Sequence, residues 1–188
     1  SFRDVARGPK GRLRIDVPAP IGRQILIPRL SEFHARYPDV ELHIGMGDRA
    51  VDLVREAVDC VIRVGELQDS TLVARRIGML KMITCATPDY LDRYGIPLSI
   101  DDLSRHLAVH YFSSRTGRNF DWDFIIDGQT KQVAMRGSVS VNDSEADVTC
   151  GLQSFGLIQP ARFTVLPHLE SGALVEVLHQ LSPTPIPM

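Results

Sequence analysis

Residues 11–42 read GRLRIDVPAPIGRQILIPRLSEFHARYPDVEL, and two changes of period inside this stretch decide the fold. Residues 13–17 (LRIDV) alternate apolar and charged side chains, the period-2 pattern of a strand with one protected face. From Ile21 the period lengthens: Ile21, Ile25, Leu30, Phe33 and Tyr37 step by about four residues onto one helical face. Pro28 lacks the N–H that would bond the carbonyl of Gln24, so the helix is expected to be kinked or short at its start. Val40, Leu42, Ile44 and Met46 return to period 2 and end at Gly45 and Gly47. Beyond them Asp48 is positioned as the N-cap of a helix with Val51, Val54 and Val58 inward, and residues 60–64 (CVIRV) form a short apolar strand. Strand, helix, strand, helix, strand within about 55 residues predicts right-handed crossovers and a parallel sheet.

A second α/β unit follows. Two β-rich stretches at 72–76 and 81–86 lead to a helix over 88–94. Ser99 with Asp102 three residues later forms a capping box with Asp in place of Glu, starting another short helix. Strands are expected near 108–112 and 122–126, and Asp127-Gly128 signals a hairpin into 131–135. After a strand at 138–141, Asn142, Asp143 and Ser144 offer N-caps to a helix running to about Leu152. Residues 156–159 read as a strand stopped by Pro160, a last helix ends near Gly172, and residues 174–178 (LVEVL) close the pattern. The expected division is residues 1–10 as a linker remnant, 11–80 as a first lobe, 81–180 as a second, and 181–188 as the start of a crossover back to the first, whose return segment is expected to be missing.

With 188 residues the chain makes one large domain or two small ones. Its 21 Lys+Arg against 23 Asp+Glu leave a net charge of −2, without the cationic excess that drives binding to phosphate backbones or anionic lipid. Any DNA contact must come from elsewhere. A hydrophobic fraction of 44% with 23% charged residues is ordinary globular composition, with no apolar run of about 20 residues to cross a membrane. Cys60, Cys85 and Cys150 are odd in number and set among apolar neighbours, which reads as reduced buried thiols and a cytoplasmic compartment.

In open parallel sheets ligands sit beyond the carboxyl ends of the strands. That rule selects 18–22, 45–49 and 63–67 in the first unit and 112–115, 142–145 and 159–162 in the second. Several of these lead into helices, whose unpaired first-turn N–H groups favour an anion. No P-loop, G-x-G-x-x-G, G-x-S-x-G or H-E-x-x-H motif is present, so neither catalysis nor a metal or cofactor is expected. His106 and His110 are spaced i, i+4, but no third ligand is near and His110 falls in a predicted strand. Asp101 and Asp102 read as helix-start charges, Cys150 as a core thiol, and Trp122 with Phe124 as core packing on a strand. Arg63, at the end of an apolar strand, needs a partner. A carboxylate such as Asp48 or Asp69 and a bound ligand are the two candidates.

The blocks 11–42, 48–78 (DRAVDLVREAVDCVIRVGELQDSTLVARRIG), 85–97 (CATPDYLDRYGIP), 142–146 (NDSEA) and 171–178 (SGALVEVL), taken in order, resemble the effector-binding domain of LysR-type transcriptional regulators. The likeness is greatest to the subgroup carrying D-x-x-I-R-x-G, here Asp59 to Gly65. The resemblance implies an α/β, type II periplasmic-binding-protein-like fold: two Rossmann-like lobes joined by two crossover strands, with a small-molecule inducer in the cleft. It also implies a preceding winged helix-turn-helix as the only DNA contact, a homodimer or higher homo-oligomer paired through the first lobe, and no membrane partner. Effector contacts carry over to Pro18, Ala19, Pro20, Asp48, Arg63, Phe112, Ser113, Asn142, Asp143 and Gln159. Pro20 stands where family members often have Ser or Thr, so that hydroxyl is missing. An anionic effector would suit Arg63, whereas Pro20 and Asp48 suit a neutral or hydroxylated one. A solute-binding protein of a transport system shares the fold and is the alternative reading.

Overall fold

The alternation in LRIDV becomes strand β1 (Gly11–Val17), in which Arg12 and Arg14 are exposed and Val17 is fully buried. The structure is a computed structural model that describes residues 8–47, 58–65 and 73–188, and the chain divides into two units between Val64 and Gly65. In the first unit β1 is followed by helix α1 (Ala19–Ile21), a π-helical turn (Gly22–Leu26), a 3-10 turn (Ile27–Arg29) and helix α2 (Leu30–Arg36). The irregularity is the expected disturbance at Pro28. An α-helix there would press the proline ring against the carbonyl of Gln24. The widened turn, in which the Ile27 N–H donates to the Gly22 carbonyl, and the tightened turn after it avoid that collision.

Strand β2 (Val40–Met46) runs parallel to β1 in unbroken register from Gly11↔Val40 to Val17↔Met46, and β3 (Cys60–Val61) is parallel on the other side, giving the order β2-β1-β3. The predicted parallel sheet is therefore present. Gly22 brings the helix close to it, since a Cβ there would lie 3.1 Å from Met46 Cε and 3.2 Å from Val17 Cγ1. The third strand is shorter than the expected 60–64: after Val61 only the Ile62 N–H continues the ladder, to Asp16 O at 2.9 Å. The helix expected after Asp48 lies outside the described residues.

In the second unit come β4 (Met79–Leu80), β5 (Thr84–Ala86), α3 (Pro88–Tyr94), a 3-10 helix (Asp101–Arg105), β6 (Leu107–Tyr111), β7 (Trp122–Ile126), β8 (Gln129–Val133), β9 (Arg136–Val141), α4 (Ser144–Leu152), α5 (Arg162–Glu170), β10 (Val175–Val177) and β11 (Ile186–Pro187). Residues 73–76 form no strand, contrary to expectation. The strand expected at 156–159 is reduced to two bridges, but they are decisive for the topology. Leu157 pairs parallel to Ala108 of β6, and Ile158 pairs antiparallel to Cys85 of β5. With β10 antiparallel to β5 and β9 parallel to β6, the strand order is β10, β5, 157–158, β6, β9.

Successive residues on these strands turn to opposite faces. Ala86, Ala108 and Leu157 join Tyr90, Trp122 and Phe124 in one core cluster, while Cys85, Val109 and Ile158 join Val148 and Val165 in another. Both faces are covered, as a sheet with parallel strands requires. The β7–β8 hairpin turns at Asp127 (φ 50°) and Gly128 (φ 76°), the left-handed pair that Asp-Gly supplies. Asp102 accepts from the Ser99 N–H at 3.0 Å, the reach-back half of the expected capping box. β11 pairs antiparallel with β4.

Between β6 and β9 the register passes from Leu107↔Arg136 to Val109↔Val139. Three steps on β9 against two on β6 make a bulge on β9. Gly137 sits in it, where a Cβ would fall 2.0 Å from Ala108 O and 2.9 Å from His110 Nε2. Gly137→Ala is expected to cost about 1–3 kcal/mol, read by urea unfolding of Trp122 fluorescence. Gly47→Ala, with nothing within 4 Å of its Cβ, is expected to stay within about 0.5 kcal/mol. Equal stability of the two variants would show that Gly137 is not closely packed against β6.

Candidate functional site

At the carboxyl edge of the first unit, Pro18 leads from β1 into α1, which begins with Ala19 and Pro20, with both prolines buried and Ala19 half-buried. Neither proline has an N–H, and the Gly22 N–H is bonded to Pro18 O at 2.9 Å, so the turn offers a ligand little backbone donation. Arg63 reaches back to the same edge. Its Nη2 donates to Asp16 Oδ1 at 2.7 Å and its Nη1 to Ile62 O at 2.8 Å. The carboxylate partner seen is thus Asp16, which sequence spacing did not nominate; Asp48 and Asp69 lie outside the described residues.

The strand register explains the pairing. Asp16 opposes Val61 on β3, two residues before Arg63, and opposes Gly45 on β2. A Cβ at Gly45 would stand 2.8 Å from Asp16 Oδ2, so the glycine leaves the carboxylate its space. The Arg63 and Asp16 side chains are 29% and 16% exposed, shielded enough for the bond to exceed a surface ion pair. Asp16→Ala is expected to lower unfolding stability by about 1–3 kcal/mol, and a double-mutant cycle with Arg63→Ala to return a favourable coupling. Additive single effects would show that the pair contributes nothing.

The second unit gathers four of the expected residues. β6 and β9 end side by side, with the Phe112 N–H donating to Val141 O at 2.8 Å. Tyr111 Oη donates to Asn142 O at 3.0 Å, and Asn142 Nδ2 to Ser114 Oγ at 3.0 Å. Asp143 Oδ1 caps α4 by accepting from the Ala146 N–H at 2.8 Å. Ser113 opens a tight loop closed by its N–H to Arg118 O at 2.9 Å. Phe112, Ser113, Asn142 and Asp143 therefore share one edge. Gln159 ends the neighbouring parallel segment but bonds elsewhere, its Nε2 donating to Asp123 O at 3.3 Å and reaching Thr84 Oγ1 at 3.5 Å. Asp48 lies outside the described residues.

This edge offers an exposed amide, a carboxylate and a half-buried aromatic ring, which suits a small hydrogen-bonding molecule. It holds no activated nucleophile. Burial pushes the Cys85 and Cys150 thiols up, away from thiolate formation, and pushes His106 and His110 down. His106 is a core residue, 3.2 Å from Tyr90 Oη through Nδ1. Among the described residues no group of His, Cys, Asp and Glu is arranged to hold a metal ion. Cys85 is buried as expected, but Cys60 is exposed because it lies on a two-residue strand rather than inside a continuous apolar one. Asp16, Tyr111 and Ser114 were missed. The signal for Asp16 was the Asp16–Gly45 pairing, which appears only once the register is known.

Residues 6–188 match the LysR substrate binding domain model, so the chain belongs to that family, built on the type II periplasmic-binding-protein-like α/β fold. Among its relatives is the uncharacterized HTH-type transcriptional regulator YhjC of Escherichia coli K12, 39% identical over 94% of this chain and 59% of that protein. The E. coli K12 HTH-type transcriptional activator TtdR is 32% identical over 90% of this chain and 54% of its own length. The full-length Vibrio cholerae virulence activator AphB superposes with a TM-score of 0.79 at 27% identity, covering 96% of this chain and 61% of that one. The CrgA regulatory domain from Neisseria meningitidis, at 24% identity and a TM-score of 0.76 over 95% of this chain and 89% of that chain, shares the fold. The chain thus spans less than two thirds of the length of the curated relatives named here. Among the described residues no helix is long and apolar enough to cross a membrane.

Proposed function

We propose that this chain is the effector-binding and oligomerisation domain of a LysR-type transcriptional regulator that binds DNA through a helix-turn-helix outside this sequence. In this reading it acts in the cytoplasm, without catalysis and without a cofactor, and senses a small metabolite at the carboxyl edges of its sheets. Its two lobes are taken as residues 11–80 and 81–180. The observation that carries the reading is the shared end of β6 and β9, where Phe112, Ser113, Asn142 and Asp143 converge in a chain of this family. Pro18, Ala19, Pro20, Asp48, Arg63 and Gln159 complete the proposed set of contacts.

The Arg63–Asp16 bond favours a neutral or hydroxylated effector over an anion, because a guanidinium already bonded to a carboxylate has part of its charge and donor capacity spent. Thermal-shift and calorimetric screening of neutral polyols, amides and small carboxylates is expected to return a neutral ligand. Asn142→Ala is expected to weaken it by about 5- to 10-fold, the loss of one ordinary hydrogen bond. A carboxylate ligand whose affinity collapses in Arg63→Ala would reverse the assignment of class. No ligand from any group, or one indifferent to Asn142→Ala, would count against the site itself.

For self-association, β2 is an edge strand among the described residues of the first unit, and Ile25 and Ile27 are 43% and 44% exposed on the turns before α2. An isologous pairing there fits a regulator of two half-sites. Sedimentation equilibrium is expected to give a dimer at tens of micromolar, and Ile25→Glu a monomer. A wild-type monomer at high micromolar concentration would refute the pairing.

A further inference from the structure

Asp147 is the only buried carboxylate among the described residues, at 5% exposure. Its side chain makes no hydrogen bond or ion pair among them. One turn earlier on the same helix, the Ser144 hydroxyl is buried and without a partner. A carboxylate largely withdrawn from water and without a partner is costly to ionise, which favours its protonated form. The positive end of the α4 dipole opposes this only in part. Burial pushes the Asp147 carboxyl up to about 7.

The surroundings offer no relief. Cys85 from β5 and Cys150 from α4 are the titratable groups that feel its charge, and each thiol is pushed further up by it. β6 and β9 present Val109, Val139 and Val141 to the same cluster, and α5 presents Val165 and Leu169. On this face β10 carries Glu176, in register with Cys85 and paired to Arg162 at 3.9 Å and His179 at 3.7 Å. His110 follows Val109 and turns to the opposite face.

Asp147 is also tied to the proposed effector edge, for its own N–H donates to Asp143 O at 3.0 Å, while the Asp143 side chain caps Ala146. We propose that α4 is a proton-linked element of that edge, packed on the sheet while Asp147 is neutral and loosened in its first turn when the proton leaves to solvent. This regulation rests on the reading of Asn142 and Asp143 as effector contacts, but its test needs no effector.

The sign follows from linkage. A folded-state value raised above the ordinary 3.8 means that packing is strongest below about pH 4, weakens as pH rises, and levels off above the folded value. Local opening of α4 is then about tenfold more frequent at pH 8 than at pH 6. Hydrogen–deuterium exchange of the whole chain, corrected for intrinsic exchange, is expected to show that tenfold loss of protection in peptides covering residues 144–152. Asp147→Asn is expected to be equally protected at both values. A carbon-13 titration of the Asp147 carboxyl in the wild-type chain serves independently if that variant fails to fold, with a midpoint near neutrality expected. Equal wild-type protection at pH 6 and 8, a pH response retained in Asp147→Asn, or a carboxyl midpoint below 5 would each overturn the proposal. Failure of the effector assignment would leave these readouts unchanged.

Discussion

Parallel strand pairing is the constraint on which the rest depends. Parallel neighbours cannot be joined by a tight turn, so each connection must climb back over the sheet, and strands joined this way all finish on one side. In the first unit β1, β2 and β3 obey this, and the last residues of β1 therefore meet Gly45 and the chain leading to Arg63. In the second, β6, β9 and the 157–158 segment do the same, so that Phe112, Asn142 and Gln159 finish along one rim. The polar groups are gathered by topology, and their neighbours on the strands stay free to form a dry core.

That core explains why most of the polar chemistry lies along the rim. Cys85 and Ala86, Ala108 and Val109, and Leu157 and Ile158 are consecutive pairs split between two apolar clusters, so a polar side chain at any of these positions would be stranded. His106 is tolerated because Tyr90 stands beside it. Asp147 has no such companion, and burial pushes its carboxyl well above the usual carboxylate range.

What could be read in the sequence was local. The periods of residues 13–17 and 40–46, the Asp-Gly hairpin and the Asp143 cap each depend on a few neighbouring residues, and each stands in the structure where it was expected. Register was not legible. Whether Asp16 faces Arg63 depends on how β1 slides against β3, and no pattern within either strand encodes that offset. The reduction of 156–159 to two bridges had the same origin: Gly156 is pressed against β6, a Cβ there falling 2.6 Å from Leu107 O, and this close approach, rather than a run of strand-forming residues, seats the segment. The candidate rim was legible as a set of segments, because the strand-end rule needs only their order, but not as a set of bonds.

The π-helical turn at residues 22–26 has a further consequence. A π turn takes one more residue to close than an α turn, so the residues after it fall behind a regular helical wheel until the tighter 3-10 turn at Ile27–Arg29 recovers part of the phase. A single helical wheel drawn through residues 21–37 therefore places Ile21 and Ile25 on a common face, whereas in the molecule Ile21 is 4% exposed and Ile25 43% exposed. Across the irregular turns the sequence is divided between two directions: Ile21 and Gly22 are buried, while Ile25 and Ile27 face solvent. A regular helix of the same composition would spend its apolar residues on one face; this one keeps part of them in reserve on the outside.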